Sequence, residues 1–121
     1  MNFLLVFIGG GIGSVLRYGI GIGMQRTQLT LPLATFISNL LACVLFALTL
    51  YFLNGKTGTF QSTKVLVLTG ICGGLSTFST FGYETFLLFA KQDYLIAVAN
   101  MVVSIAACIL VFYLFKSPLS A

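Results

Sequence analysis

The sequence has no histidine and no tryptophan, and only 7% of its 121 residues carry charge. Each scarcity excludes a class of protein. A soluble domain carries about 25% charged residues, so a chain that is 59% hydrophobic with so few charges cannot turn its bulk to water. With no histidine, and with Cys43, Cys72 and Cys108 in separate apolar stretches and no C-x-x-C spacing, neither a zinc site nor a disulfide framework is indicated. The thiols read as small buried side chains. The net charge of +4 comes from Arg17, Arg26, Lys56, Lys64, Lys91 and Lys116 against Glu84 and Asp93. Those cations form no run or patch, which argues against a nucleic-acid partner and for anchoring at a membrane surface.

What the sequence does contain is uncharged length. Residues 27–55, 65–83 and 94–115 carry no charge, and each is close to the roughly 20 residues that cross a bilayer. The predicted fold is an all-α integral membrane protein, one domain over residues 1–121 with four spans at about 3–24, 31–53, 65–90 and 94–115. Gln25-Arg26-Thr27-Gln28, a polar stretch from Asn54 to Lys64, and Lys91-Gln92-Asp93 connect them. Met1-Asn2-Phe3 lacks a basic n-region, so the first span is expected to be retained structure, not a signal peptide. Four spans leave no room for an extramembrane catalytic domain, which points to transport and away from an enzyme. Gly9 and Gly13, like Gly19 and Gly23, have the small-xxx-small spacing of closely packed membrane helices. The run Gly9-Gly10-Gly11-Ile12-Gly13 fits neither the dinucleotide fingerprint nor the P-loop.

Orientation is nearly unspecified. One side of the membrane holds Lys56, Lys64 and Lys116, and the other Arg26 and Lys91, plus Arg17 if it snorkels that way. Because loop Lys/Arg asymmetry sets topology, two readings stand: insertion both ways, allowing a dimer of opposed copies, or one orientation fixed by a single loop charge.

Inside the spans, residues 69–84 (Thr69-Gly70-Ile71-Cys72-Gly73-Gly74-Leu75-Ser76-Thr77-Phe78-Ser79-Thr80-Phe81-Gly82-Tyr83-Glu84) stand out. A glycine pair followed by hydroxyls weakens the helix, and irregular backbone at bilayer depth is tolerated only inside protein or along a wet cavity. This predicts a third helix broken mid-membrane, whose freed carbonyls suit a hard cation such as Na⁺. The alternative is a continuous helix with Ser and Thr bonded to the preceding turn. Asn39 reads as an interhelical hydrogen bond or as part of an ion path. Phe78 and Phe81 share a helix face and present positive ring edges. Arg17 and Glu84, charges in or near span ends, pair, face vestibules, or merely snorkel or bond to backbone.

Gly10-x-x-Gly13-x-x-x-Arg17-Tyr18, Pro32-x-x-Thr35-x-x-x-Asn39, and above all Gly73-Gly74-Leu75-Ser76-Thr77-Phe78-Ser79-Thr80-Phe81-x-x-Glu84 resemble the CrcB/Fluc family of microbial fluoride channels over essentially the whole chain. The resemblance implies an antiparallel, dual-topology homodimer in the cell membrane with two fluoride pores and a central Na⁺ that is not transported. Position by position, Asn39 resembles the pore-lining amide and Phe78 and Phe81 the rings whose edges face fluoride. Ser79 and Thr80 resemble the hydroxyl track, which Ser104 extends. Gly73 and Ser76 resemble the residues whose backbone carbonyls hold Na⁺. Arg17 resembles the vestibule cation and Glu84 a polar anchor after the break. Two departures are visible: Leu33-Ala34-Thr35 where the family usually has Gly-Thr, and Cys108 one turn beyond Ser104 where a hydroxyl is expected.

The implied function is passive, fluoride-selective export that relieves fluoride toxicity. The competing reading is a proton-coupled exporter of the small multidrug-resistance type. That class needs a first-span carboxylate, where this chain has Arg17, and uses tryptophan, which this chain lacks. A non-transporting subunit of a larger membrane complex leaves the Gly/Ser/Thr/Phe constellation unexplained.

Overall fold

A long uncharged run without water to bond satisfies its backbone only by hydrogen-bonding within itself, which dictates helix. A computed structural model describes residues 1–27, 31–56 and 58–116, all helical or connecting, with no strand among them. Gln28 in the first connection and Thr57 in the second lie outside the described residues. The elements are α1 (Asn2–Met24), α2 (Leu33–Leu53), α3 (Thr59–Lys64), a π-helical segment (Val65–Ile71), α4 (Cys72–Leu75), α5 (Phe78–Ala90) and α6 (Tyr94–Leu114). Four stretches are long and apolar enough to cross a membrane: Asn2–Met24, Leu33–Leu53, Phe60–Ala90 and Tyr94–Leu114.

The third of these differs from expectation at its start. Helix begins at Thr59, within the stretch predicted to be a polar loop. The residues Thr59–Lys64 contain no proline or glycine to stop a helix, and Gly58, at φ 75°, supplies the turn that precedes it. The following π-helical turns hand Cys72 a carbonyl five residues back, at Val67, a register shift of the kind often found at functional sites.

Helix α1 packs on the π-helical segment and α4 with backbone against backbone. A Cβ added at Gly70 would lie 2.8 Å from Gly9 Cα, and one at Gly13 would lie 2.7 Å from Leu75 N. The Gly9/Gly13 pair of α1 thus meets a matching Gly70/Gly74 pair across the contact. Gly19 and Gly23, with the same spacing, have nothing within 4 Å. The packing of α1 inside one chain is therefore a single stripe, and Phe3, Phe7, Val15 and Tyr18 stay exposed. The buried core is correspondingly small: Ala42, Cys72 and Leu75, flanked by Ile20, Leu45, Phe46 and Val67. So many exposed apolar side chains fit a lipid surrounding and no other solvent.

Helices α5 and α6 are joined by a tight reversal. Gln92 takes φ 64°, and the Asp93 amide reaches back to the Leu88 carbonyl at 2.9 Å, which satisfies the helix end in the Schellman manner. Helix α6 returns along α2, where Phe46 and Phe112 meet edge-on with centroids 5.8 Å apart.

Candidate functional site

The helical path is interrupted between α4 and α5. Ser76 (ψ 154°) and Thr77 (φ −150°, ψ 118°) are extended, while Gly73 and Gly74, the expected weak point, are helical within α4. Glycine lowers helix stability but does not end a helix by itself. What ends this one is competition for its backbone groups by side chains. The Thr77 amide, which a continuous helix would give to the Gly73 carbonyl, donates instead to Asn39 Oδ1 at 2.7 Å. Asn39 Nδ2 in turn donates to the Thr77 carbonyl at 3.4 Å. Arg17 Nε donates to the Gly74 carbonyl at 3.1 Å. The Thr77 hydroxyl caps α5 by accepting from the Thr80 amide at 3.2 Å, as an N-cap threonine does.

Two cavities flank this interruption, and Thr77 lines both. The first, about 320 Å³, is bordered by Arg17, Thr35, Ser38, Thr80 and Glu84. The second, about 340 Å³, is bordered by Asn39, Phe78, Phe81, Ser104, Cys43 and Cys108. The sequence-predicted residues therefore divide. Asn39, Phe78, Phe81 and Ser104 share one cavity, and Arg17, Thr80 and Glu84 share the other. Ser79 is exposed beside the break, its hydroxyl 3.3 Å from that of Thr77. Phe78 and Phe81 stand with centroids 6.0 Å apart and planes tilted 38°. Gly73 and Ser76 border a smaller cavity with Ala42, Cys43 and Phe46.

Arg17 and Glu84 face one cavity without forming a pair through Glu84 Oε2, which is buried and has no hydrogen-bond partner. Arg17 bonds backbone, one of its expected fates, and still borders the cavity. Asn39 makes an interhelical bond and also borders a cavity, so its two readings hold together.

Asn100 and Thr85, which link to the anticipated Ser104, escaped the sequence reading. Ser104 Oγ donates to Asn100 Oδ1 at 3.4 Å, Asn100 Nδ2 to Thr85 Oγ1 at 3.2 Å, and Thr85 Oγ1 to the Phe81 carbonyl at 2.8 Å. This relay runs from α6 to the helix that carries Phe81. Asn100 gave the same signal as Asn39, an amide alone in an apolar span, and the rule applied to one applies to the other. Thr77, the centre of the site, was hidden among neighbouring hydroxyls.

These features have close relatives. The family model described as CrcB-like protein, Camphor Resistance (CrcB), matches residues 4–115. A protein of Chloroflexus aurantiacus named fluoride-specific ion channel FluC is 40% identical over 105 residues, covering 86% of this chain and 83% of that protein. A protein of the same name from Serratia proteamaculans is also 40% identical over 105 residues, covering 87% and 83%. One from Methanococcus aeolicus is 33% identical over 112 residues, covering 93% and 89%. With a family match across nearly its full length, and four helices apolar enough to span a bilayer, this multi-pass membrane chain belongs to the CrcB family.

Proposed function

We propose that the chain is a fluoride-selective channel that passes the ion down its gradient and out of the cell. The observation that carries this is the cavity bordered by Asn39, Phe78, Phe81 and Ser104 at the start of α5. Fluoride is small, strongly hydrated and accepts hydrogen bonds, so only closely placed donors and positive edges replace its water. The cavity offers an amide nitrogen and hydroxyls, the rings of Phe78 and Phe81 with their positive edges, and the N-terminus of a 13-residue helix, whose first-turn amides have no intrahelical acceptor. Arg17, across the break, adds positive charge at the approach. The first transmembrane helix holds no carboxylate for proton-coupled exchange.

The same reading includes an antiparallel homodimer with a structural Na⁺ between its copies. The chain's own donors fit that ion. The amides that helix geometry would bring to the carbonyls of Gly73 and Ser76 are those of Thr77 and Thr80, and both are engaged by side chains. Two hard oxygen donors are thereby left for a cation. Gly73 is exposed, within reach of a second copy that would double the donor set. Exposure of the apolar face of α1 and near-equal loop charges are consistent with opposed copies.

The test is efflux from liposomes loaded with fluoride and chloride, with membrane potential clamped by a potassium ionophore. Rapid fluoride release with chloride retained supports the channel. No release from correctly folded protein overturns it. Replacing Na⁺ by a large organic cation lowers the rate if the carbonyl site holds a structural ion, and an unchanged rate removes the ion from the proposal.

A further inference from the structure

Cys43 lies one helical turn beyond Asn39 on α2, and Cys108 one turn beyond Ser104 on α6. Residues four apart share a helix face, so the two thiols continue the two faces that build the Asn39–Ser104 cavity. Both border it and both are only partly buried, and about one turn farther along the same two helices Phe46 and Phe112 meet edge-on with centroids 5.8 Å apart. Cys72, the third cysteine, is buried at 4% exposure and does not border this cavity. We propose that Cys43 and Cys108 form a two-thiolate site for a soft cation of low coordination number, a site that lies in the wall of the conduction path.

The chemistry follows from the donors. Thiolate sulfur selects soft metals over hard ones, and two thiols from different helices on one cavity suit a cation that needs only two ligands. Among the described residues no three Cys, Asp or Glu side chains converge on a metal geometry, so ions that require three or four such ligands are not accommodated. Binding of Hg²⁺ forms two sulfur–metal bonds and releases the two thiol protons, giving RS–Hg–SR with no change in oxidation state. The product sits beside Phe81 and Ser104. A metal there fills the space that fluoride would use, an effect on flux that rests on the channel reading above, whereas the binding itself does not.

The experiment adds one equivalent of mercuric nitrate to the reconstituted, full-length protein, with two readouts. The first is intact mass after washing with a monothiol, which strips singly held metal but not metal held by two sulfurs. The expected result is a gain of one mercury less two protons in the parent and in Cys72→Ser, and loss of that adduct in Cys43→Ser and in Cys108→Ser. The second readout is fluoride efflux, expected to fall to the rate of protein-free liposomes and to return on addition of a dithiol. An adduct that survives either Cys43→Ser or Cys108→Ser, or that disappears in Cys72→Ser, overturns the site. Should a single variant fail to fold, the metal-loaded parent is treated with a thiol-alkylating reagent and its peptides are mapped: protection of Cys43 and Cys108 together supports the site, and alkylation of either overturns it. The adduct without an effect on efflux overturns its place in the path. The adduct on protein that never conducts fluoride leaves the site standing and overturns the channel reading instead.

Discussion

The amide of Thr77 donates to Oδ1 of Asn39 at 2.7 Å, and the carbonyl of the same residue accepts from Nδ2 of Asn39 at 3.4 Å. One side-chain amide thus answers both polar groups of one residue, as a neighbouring strand would, at the point where the helix gives up its own pairing. Unpaired backbone groups at such a depth cost several kcal/mol each, and Asn39 and Arg17 pair the amide and carbonyl of Thr77 and the carbonyl of Gly74. The break and the cavity bordered by Asn39, Phe78 and Phe81 both depend on one arrangement of side chains around the chain from Gly73 to Thr80.

Asn39 is therefore expected to matter twice, and two substitutions separate the roles. Asn39→Asp keeps an acceptor for the Thr77 amide but loses the donor and adds negative charge beside the anion path. The protein should fold and lose fluoride efflux. Asn39→Ala leaves the Thr77 amide unpaired and should cost about 1–3 kcal/mol of stability as well as activity. Thermal unfolding in detergent beside liposome efflux distinguishes them. Equal stability of parent and Asn39→Ala would show that the bond to Thr77 does not hold the break.

Phe81→Ile keeps apolar bulk at the cavity wall but removes the ring edge. Its backbone carbonyl still receives the Thr85 hydroxyl, which bonds it at 2.8 Å, so the relay to Asn100 should persist. Fluoride efflux is expected to drop by at least about tenfold, the equivalent of roughly 1.4 kcal/mol, with the elution volume of the purified protein unchanged. Undiminished efflux would take the ring out of the mechanism.

Much of this was legible in the sequence, and the parts that were not have a common cause. Span positions follow from hydropathy and charge, which act locally. The grouping of Asn39 with Phe78, Phe81 and Ser104 was available from the family resemblance of the motif. The stretch that holds the break was legible, but its exact residues were not, because glycines followed by hydroxyls mark where a helix is weak, whereas its end at Ser76 and Thr77 involves side chains 38 and 57 positions away, Asn39 and Arg17. The Asn100–Thr85 link and the placing of Cys43 and Cys108 on one cavity are likewise products of α2, α5 and α6 coming together, and no spacing along the chain encodes them.

The glycines of α1 give a sharper case of equal spacing with unequal consequence. Gly9 faces Gly70 so closely that a methyl at Gly9 would stand 2.9 Å from Gly70 Cα. The neighbour is backbone on a π-helical segment, which has no rotamer to change, so the two elements must separate. Gly9→Ala or Gly70→Ala is expected to cost about 1–3 kcal/mol or more, and to displace the segment that leads into Gly73 and Ser76. Gly19→Ala meets nothing within 4 Å and trades glycine for a better helix former, a gain of about 0.5–1 kcal/mol. Midpoints of thermal unfolding for the three variants test this. A fall for Gly9→Ala and Gly70→Ala with no fall for Gly19→Ala supports the backbone contact. A fall for Gly19→Ala comparable to the others would mean that something outside this chain rests on that turn of α1, and the exposed side chains of Val15, Leu16 and Tyr18 beside it would then be part of the same contact.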